Sequence, residues 1–328
     1  MDRNGWREKL SNQYGLSFTM HECHDPEEAW PTSLLQGHDV LFCEFPPANF
    51  GEMKDIRWVQ AASVGVERWS LHSLPAKQVG ITNAAGIFDA PIAEWNLSMM
   101  INLARDLRGM IHNQAAHVWD RSPRFQMEIR GKILGLWGYG GIGRETARLA
   151  KALGMKIHVY SRNPIGPRGC DVFVLPGSGD PEGTLPDRVF SPDDKLEFLA
   201  SVDFLVLGVP LTPETEGMIG REELKAMASH AFLLNPARGK LIQEDALRQC
   251  LEEQWIAGAA LDTHYAYPLP AAHWLWDMSN VILTPHISGS HQSPHFLNRI
   301  WSIFAENVRR FQQRERLMNL VASETLAR

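Results

Sequence analysis

Six short, continuous apolar runs separated by helix-period segments constrain this chain more than any other feature. They cover residues 133–137, 156–160, 204–209, 231–234, 256–261 and 281–283. A strand with one face in water alternates apolar and polar residues, whereas a continuous run reads as a strand buried on both faces, as parallel strands covered by helices are. The expected class is therefore α/β with doubly wound parallel sheets. A second group of runs, 40–45, 57–61 and 79–82, precedes a long helical segment at 91–117. The last helical segment, 293–314, carries Phe296, Ile300, Ile303, Phe304, Val308 and Phe311 at helical spacing, a stripe suited to closing the chain back onto the N-terminal group. At 328 residues the chain also exceeds the ~250–300 at which a single core stops growing, so two domains are expected.

Charge and composition exclude several classes. A net charge of −6 gives no global attraction to nucleic acid or anionic membrane, so any anionic ligand must be held by local groups. The charged start of the chain and the absence of a run of ~18 apolar residues argue against targeting or anchoring segments. Cys23, Cys43, Cys170 and Cys250 are scattered, without CxxC or metal-ligand spacing, which makes a reducing, cytoplasmic setting the default. His286, His291 and His295 lack an HExxH pattern or a cysteine partner, and no metal is expected. The acidic pairs Asp193-Asp194 and Glu222-Glu223 stand at helix starts and read as N-terminal helix charge.

The strongest local signal is Gly138-Tyr139-Gly140-Gly141-Ile142-Gly143, placed after the run 133–137 and before a helical segment at 144–153. In that context the first glycine permits a tight turn, the second lets a pyrophosphate approach the backbone, and the third allows close packing of helix on strand. The helix N-terminus supplies unpaired amides and partial positive charge. A dinucleotide is expected there. The next strand should end in an acid that takes the ribose hydroxyls of NAD, but it ends Tyr160-Ser161-Arg162. A hydroxyl and a guanidinium suit a 2′-phosphate, so NADP is preferred over NAD.

In open α/β sheets ligands gather beyond the carboxyl ends of the strands. Val209, Pro210 and Thr215 follow one run, Ala237 and Arg238 another, Asp262 a third, and His286 with Gly289 the last. A cation, an acid and an imidazole on one sheet edge suit hydride transfer to a carbonyl, the cation for a substrate carboxylate and the imidazole as proton donor.

These residues also carry a resemblance. The segments 131–163, 234–247 (LNPARGKLIQEDAL), 258–270 and 280–289 (NVILTPHISG), with 58–67 (WVQAASVGVE) and 83–87 (NAAGI), resemble the D-isomer-specific 2-hydroxyacid dehydrogenase family, glyoxylate/hydroxypyruvate reductases among them. The match spans most of the chain, in the family's order. It implies two Rossmann-like domains, a discontinuous substrate domain of residues 1–103 and 292–328 and an NAD(P)-binding domain of 104–291, with the active site in the cleft between them and a homodimer as the usual assembly. The implied reaction is reduction of a small 2-oxo acid to the D-2-hydroxy acid by NAD(P)H. By the same analogy Arg238 clamps the substrate carboxylate, His286 donates the proton, Asp262 holds the nicotinamide, and Thr215 sits by the cofactor phosphates. Backbone amides around Ser63, Val64 and Gly65 complete the carboxylate site.

Two positions depart from the family pattern. Where the family places a glutamate that pairs with the catalytic histidine, this chain has Tyr267, and a neutral phenol cannot raise an imidazole pKa by charge. Either Tyr267 orients His286 as a neutral hydrogen-bond partner, or another carboxylate takes over, or the reaction is lost and the chain is a catalytically weak or inactive cofactor-binding regulatory protein. A neutral partner predicts reduction that fades as pH rises through the ordinary histidine value of ~6.5. At Gly141 the family often carries a larger polar residue near the pyrophosphate, a contact absent here. Residues 163–187, dense in proline and glycine, read as an insertion in which 172–175 is either an extra strand or part of a hairpin. Tryptophan outnumbers tyrosine, 11 to 5. Trp274 and Trp276, just after Tyr267, read either as packing or as the rim of the pocket.

Overall fold

A computed structural model describes residues 5–23, 25, 27–66, 69, 79–322 and 326; Glu67, the last residue of the 58–67 segment, lies outside them. The chain divides into two units, one of residues 1–87, 169–174 and 292–328 and the other of 88–168 and 175–291. In the first, helix α1 (Trp6–Tyr14) precedes β1 (Val40–Cys43), β2 (Trp58–Ala61) and β3 (Gly80–Thr82), which pair in parallel in chain order. The second begins with α2 (Asp89–Ala104) and α3 (Leu107–Ala115), then β4 (Ile133–Trp137), α4 (Gly141–Ala152), β5 (Lys156–Tyr160) and β6 (Arg188–Phe190). It continues through α5 (Lys195–Ala200), β7 (Phe204–Leu207), α6 (Arg221–Ala226), β8 (Phe232–Asn235), α7 (Glu244–Glu252), β9 (Gly258–Leu261) and β10 (Val281–Leu283). Helix α8 (Pro294–Gln313) returns to the first unit, as the apolar stripe of its sequence anticipates.

The seven strands of the second unit run parallel in the order β10-β9-β8-β7-β4-β5-β6. Their side chains alternate between two cores. Trp137, Tyr160, Leu205, Leu207, Leu233 and Leu261 join residues of α5, α6 and α7, while Leu134, Leu136, Val159, Val206, Leu234 and Ala260 join residues of α2 and α4. With both faces covered, every strand position favours an apolar side chain, which is why the runs are continuous. β6 is the exception: like β10 it lies at an edge, but two of its three residues are exposed, and no apolar run marks it.

The division of the chain differs from the expected one in two places. Helix α2 belongs to the second unit, not the first, because Leu97 and Met100 pack with Ala147 and Ala150 of α4 and the buried Asn96 amide donates to Thr146 Oγ1 at 3.1 Å. Residues 169–174, expected within the cofactor domain, belong to the first unit: Asp171 pairs with Arg310 at 3.0 Å, its carbonyl accepts from Asn319 N at 2.7 Å, and Phe173 N donates to Asn319 Oδ1 at 3.0 Å. The segment 172–175 is neither strand nor hairpin. The helical stretch 91–117 also breaks, at Asp106, whose φ of 42° turns the chain and whose carboxylate accepts from Gly109 N at 3.0 Å to start α3.

A buried polar network ties α8 to the three-stranded sheet. Asn307 Nδ2 donates to Gln60 Oε1 and to Met318 O, both at 3.1 Å, Asn307 Oδ1 accepts from Met318 N at 2.7 Å, and Thr82 Oγ1 donates to Gln60 Oε1 at 2.9 Å. Around it Phe304 stacks on Trp58 and Phe42, with ring centroids 5.4 and 4.7 Å apart. Removing one partner strands the others out of water, so Asn307→Ala is expected to cost about 1–3 kcal/mol. Urea unfolding of the two proteins checks this, and an unchanged midpoint would show that the network contributes nothing net.

Candidate active site

The glycine turn follows β4 directly. Gly138 sits at a φ of 100°, and a Cβ there would meet Gly208 O at 2.9 Å, so the turns after β4 and β7 touch only because this residue is glycine. Those two strands are neighbours at the point where the strand order reverses. A Cβ on Gly143 would meet Gly138 O at 2.7 Å, which fixes the close seating of α4 on β4. A Cβ on Gly140 would meet nothing within 4 Å. The middle glycine thus faces open space in front of a helix start that has neither a side-chain cap nor an acidic residue in its first turn. These are the features a bound pyrophosphate uses, and the residues present fit a dinucleotide.

Gly141 is different. A Cβ there would meet Asp89 Oδ2 at 1.8 Å, so the carboxylate of the first residue of α2 occupies the place where a side chain would begin. Ile142 is half-buried in the same turn. Tyr139 turns inward and its hydroxyl donates to Asp180 Oδ2 at 2.7 Å; burial, then that carboxylate, push the phenol pKa up. At the end of β5, Ser161 Oγ donates to Asn163 O at 2.8 Å, and the exposed Arg162 makes no hydrogen bond or ion pair among the described residues.

The remaining strand ends bring their polar residues to one edge of the sheet. After β7, with Val209 and Pro210, Thr215 Oγ1 donates to Pro210 O at 2.7 Å and accepts from Thr212 N at 2.7 Å, so this hydroxyl closes its own turn. After β8, Ala237 N donates to Asn235 Oδ1 at 3.1 Å and Arg238 Nη1 to Ala237 O at 2.8 Å. Beyond β9, Asp262 is fully buried. Its Oδ1 accepts from Thr284 Oγ1 at 2.6 Å and from Ile287 N at 2.9 Å, and its Oδ2 from Ser288 N at 2.9 Å. Asp262 therefore holds the loop after β10 that carries His286, a task the sequence does not reveal. Gly289 ends this loop against Phe88, whose ring a Cβ would meet at 3.0 Å.

His286 itself has a φ of 57°, and its pKa is lowered, first by partial burial and then by the charge of Arg238 and the neighbouring His264, with Asp262 pulling the other way. The Tyr267 ring lies 5.4 Å from the His286 ring at 50°, and the Tyr267 hydroxyl accepts from His264 N at 3.1 Å. Among the described residues no hydrogen bond joins Tyr267 to His286, so the expected neutral hydrogen-bond partner is instead a ring contact. His264, which no motif singled out, is buried under the loop. Its Nε2 bonds Thr284 O at 2.8 Å, so that nitrogen carries the proton, and Nδ1 is buried without a partner. Trp274 Nε1 donates to Glu244 Oε1, at the start of α7, at 3.0 Å, and Trp276 Nε1 to Pro270 O of its own loop at 2.9 Å. In the first unit Ser63, Val64 and Gly65 form a turn in which Ser63 Oγ donates to Gly65 O at 2.8 Å and Asn83 Nδ2 to Val64 O at 3.0 Å.

The model of the D-isomer specific 2-hydroxyacid dehydrogenase NAD-binding domain matches residues 97–288, more than half of the chain. A glyoxylate reductase of Thermofilum pendens is 30% identical over 294 residues, covering 84% of this chain and 82% of that protein. The chain belongs to the D-isomer-specific 2-hydroxyacid dehydrogenase family. It is an NAD(P)-dependent oxidoreductase of that family. Among solved structures, the Lactobacillus delbrueckii ssp. bulgaricus dehydrogenase in its NAD complex superposes with a TM-score of 0.78 at 21% identity, over 97% of this chain and 96% of that one. A Xanthobacter autotrophicus Py2 member in complex with NADPH gives 0.75 at 24%, over 98% and 96%. One fold thus accompanies either cofactor, and the choice between them rests on side chains.

In this family member the imidazole pKa is set without a carboxylate at position 267. An acid placed at the ring contact would favour imidazolium, so Tyr267→Glu is expected to raise the His286 pKa by about one unit or more. NMR titration of the His286 ring in both proteins measures it. A pKa that does not move would mean that position 267 does not act on the ring.

Proposed function

We propose that this dehydrogenase reduces a small 2-oxo acid of the glyoxylate or hydroxypyruvate kind to the D-2-hydroxy acid, with NADPH preferred over NADH. The observation that carries this reading is the convergence of Arg238, just after β8, and His286, just after β10, on the carboxyl edge of the same parallel sheet that carries the glycine turn after β4. Gly138, Tyr139, Gly140, Gly141, Ile142 and Gly143 would hold the pyrophosphate, Ser161 and Arg162 the 2′-phosphate, and the backbone around Val209, Pro210, Thr215, Ala237 and Gly289 the rest. When bound, the reduced nicotinamide supplies the hydride. Arg238 pairs with the substrate carboxylate and polarises the 2-oxo group. His286 passes a ring proton to the oxygen as negative charge develops there. Asp262, which the resemblance sets at the nicotinamide, also fixes the His286 loop and counters part of the loss of basicity.

The direction of the His286 shift sets the pH dependence. Reduction requires imidazolium, which is fully present below the folded pKa and lost as pH rises through it. Because that pKa lies below the ordinary ~6.5, kcat for reduction is expected to fall already between mildly acid and neutral pH. A profile flat to pH 9 would remove His286 from the donor role. Arg238→Ala is expected to lower kcat/KM for 2-oxo acids about 10- to 100-fold, mostly through KM, as loss of a charge-assisted pair does. Unchanged kinetics would sink the clamp. Arg162→Ala should weaken NADPH and leave NADH as it was. The alternative, a cofactor-binding protein without turnover, is favoured by Tyr267 alone; tight NADPH binding with no oxidation across a panel of 2-oxo acids would establish it.

We also propose a homodimer through α3 and the residues after it. Ile111, Val118 and Trp119 are 57%, 53% and 90% exposed, an apolar group that costs free energy in water. Ile111→Glu combined with Trp119→Ala is expected to give a monomer at micromolar concentration in sedimentation velocity. A wild-type monomer would overturn the assembly.

A further inference from the structure

Residues 163–168 and 175–187 are built onto the glycine turn. Arg144, buried one residue beyond Gly143, donates to Asp180 O at 2.5 Å and to Gly166 O at 2.8 Å, and its guanidinium lies 5.0 Å over the Tyr139 ring. Glu145, also buried, accepts from Gly179 N at 2.5 Å, and Tyr139 bonds Asp180. Asp180 in turn accepts from the backbone of Gly183, Thr184 and Leu185 at 3.0–3.1 Å. The result is a fixed platform, and Arg168 is part of it: its N–H donates to Pro181 O at 2.8 Å. From there the Arg168 guanidinium reaches Asp89 Oδ2 at 3.3 Å, both side chains being largely buried. That carboxylate is the one standing against Gly141 at the first turn of α4.

We propose that Asp89 and Arg168 form a charge gate on the pyrophosphate seat: Asp89 covers the α4 start in the free protein, and Arg168 passes from it to the pyrophosphate when a dinucleotide binds. The proposal rests on the dinucleotide occupying this turn, as the family's cofactor domain implies. Two independent features point to the same place. The helix start has no side-chain cap and no acidic residue of its own, and a carboxylate with its counter-cation, each from a different segment, has been brought to it. A pyrophosphate seated on this turn would bring its negative charge beside the Asp89 carboxylate, and Arg168 is the cation that would make the two compatible. Gly141 follows from the arrangement, since any larger residue would collide with Asp89. The insertion therefore contributes a binding residue for the part of the cofactor that NADH and NADPH share.

The test is equilibrium titration of NADPH and NADH, by quenching of protein fluorescence, into wild type, Arg168→Ala, Arg168→Lys, Asp89→Asn and the Asp89→Asn/Arg168→Ala double variant. Arg168→Ala is expected to weaken both cofactors by about tenfold, by the same factor for each, with Arg168→Lys recovering part of the loss. Asp89→Asn is expected to tighten both several-fold, and the double variant to bind near the wild-type value. Binding by Arg168→Ala within twofold of wild type overturns the proposal, as does an Asp89→Asn variant that binds both cofactors more weakly. A loss confined to NADPH would do the same, because it would place Arg168 at the 2′-phosphate. Should Asp89→Asn fold poorly by circular dichroism, the salt dependence of Kd decides: it must flatten in Arg168→Ala, and an unchanged slope overturns the gate. Wild type that binds neither cofactor would instead remove the dinucleotide reading itself.

Discussion

Burial of both faces of the seven-stranded sheet is the constraint on which the second unit depends. Once α2 and α4 cover one side and α5, α6 and α7 the other, the strand interiors carry almost nothing but aliphatic and aromatic side chains. Polar chemistry is displaced to the strand ends. At the carboxyl edge the backbone must turn, and there the chain places the glycine turn, Arg238, Asp262 and the His286 loop. The site owes its coherence to the sheet: residues more than 140 positions apart reach one edge because parallel strands deliver them with the same polarity.

Legibility in the sequence follows the same physics. Strands buried on both sides announce themselves as continuous runs, and the six runs correspond to six of the seven strands, whereas β6, exposed along one edge, carries no such mark. The glycine turn is legible because each glycine answers a local steric demand within a few residues of itself. Asp89, Arg168, Asp180 and His264 are not, since what matters about each is a partner far along the chain: Asp89 meets Gly141 and Arg168, and His264 lies beneath Thr284. That the second unit begins at Phe88 rather than near residue 103 has a related cause. A helix between two units shows which face is apolar, but not which core that face enters.

The tyrosine at position 267 leaves the imidazole with a balance of weaker influences. Partial burial and Arg238 work against imidazolium, and the acid that acts in the other direction, Asp262, has its oxygens committed to three donors of the 284–288 region. A carboxylate so engaged exerts its charge at a distance without offering a proton acceptor to the ring. Loop architecture and basicity are then coupled through one residue, because whatever loosens Asp262 alters both where His286 stands and how readily it is protonated.

Gly141 shows how a departure from a family pattern acquires its meaning only from the rest of the fold. Read along the sequence, a glycine in the first turn of α4 is a lost side-chain contact, and in a helix an alanine would ordinarily be preferred by ~1 kcal/mol. The position has no need of a positive φ, so backbone strain does not explain the glycine. Space does: Asp89 Oδ2 stands 1.8 Å from where the Cβ would be, and Arg168 stands behind Asp89. The glycine, the aspartate and the insertion that carries the arginine are thus one arrangement. Each would be unfavourable alone: the glycine for helix propensity, the aspartate for its charge beside an anion seat, and the buried arginine for its desolvation. Together they leave a helix start whose charge is balanced in the free protein and can be rebalanced by a bound anion.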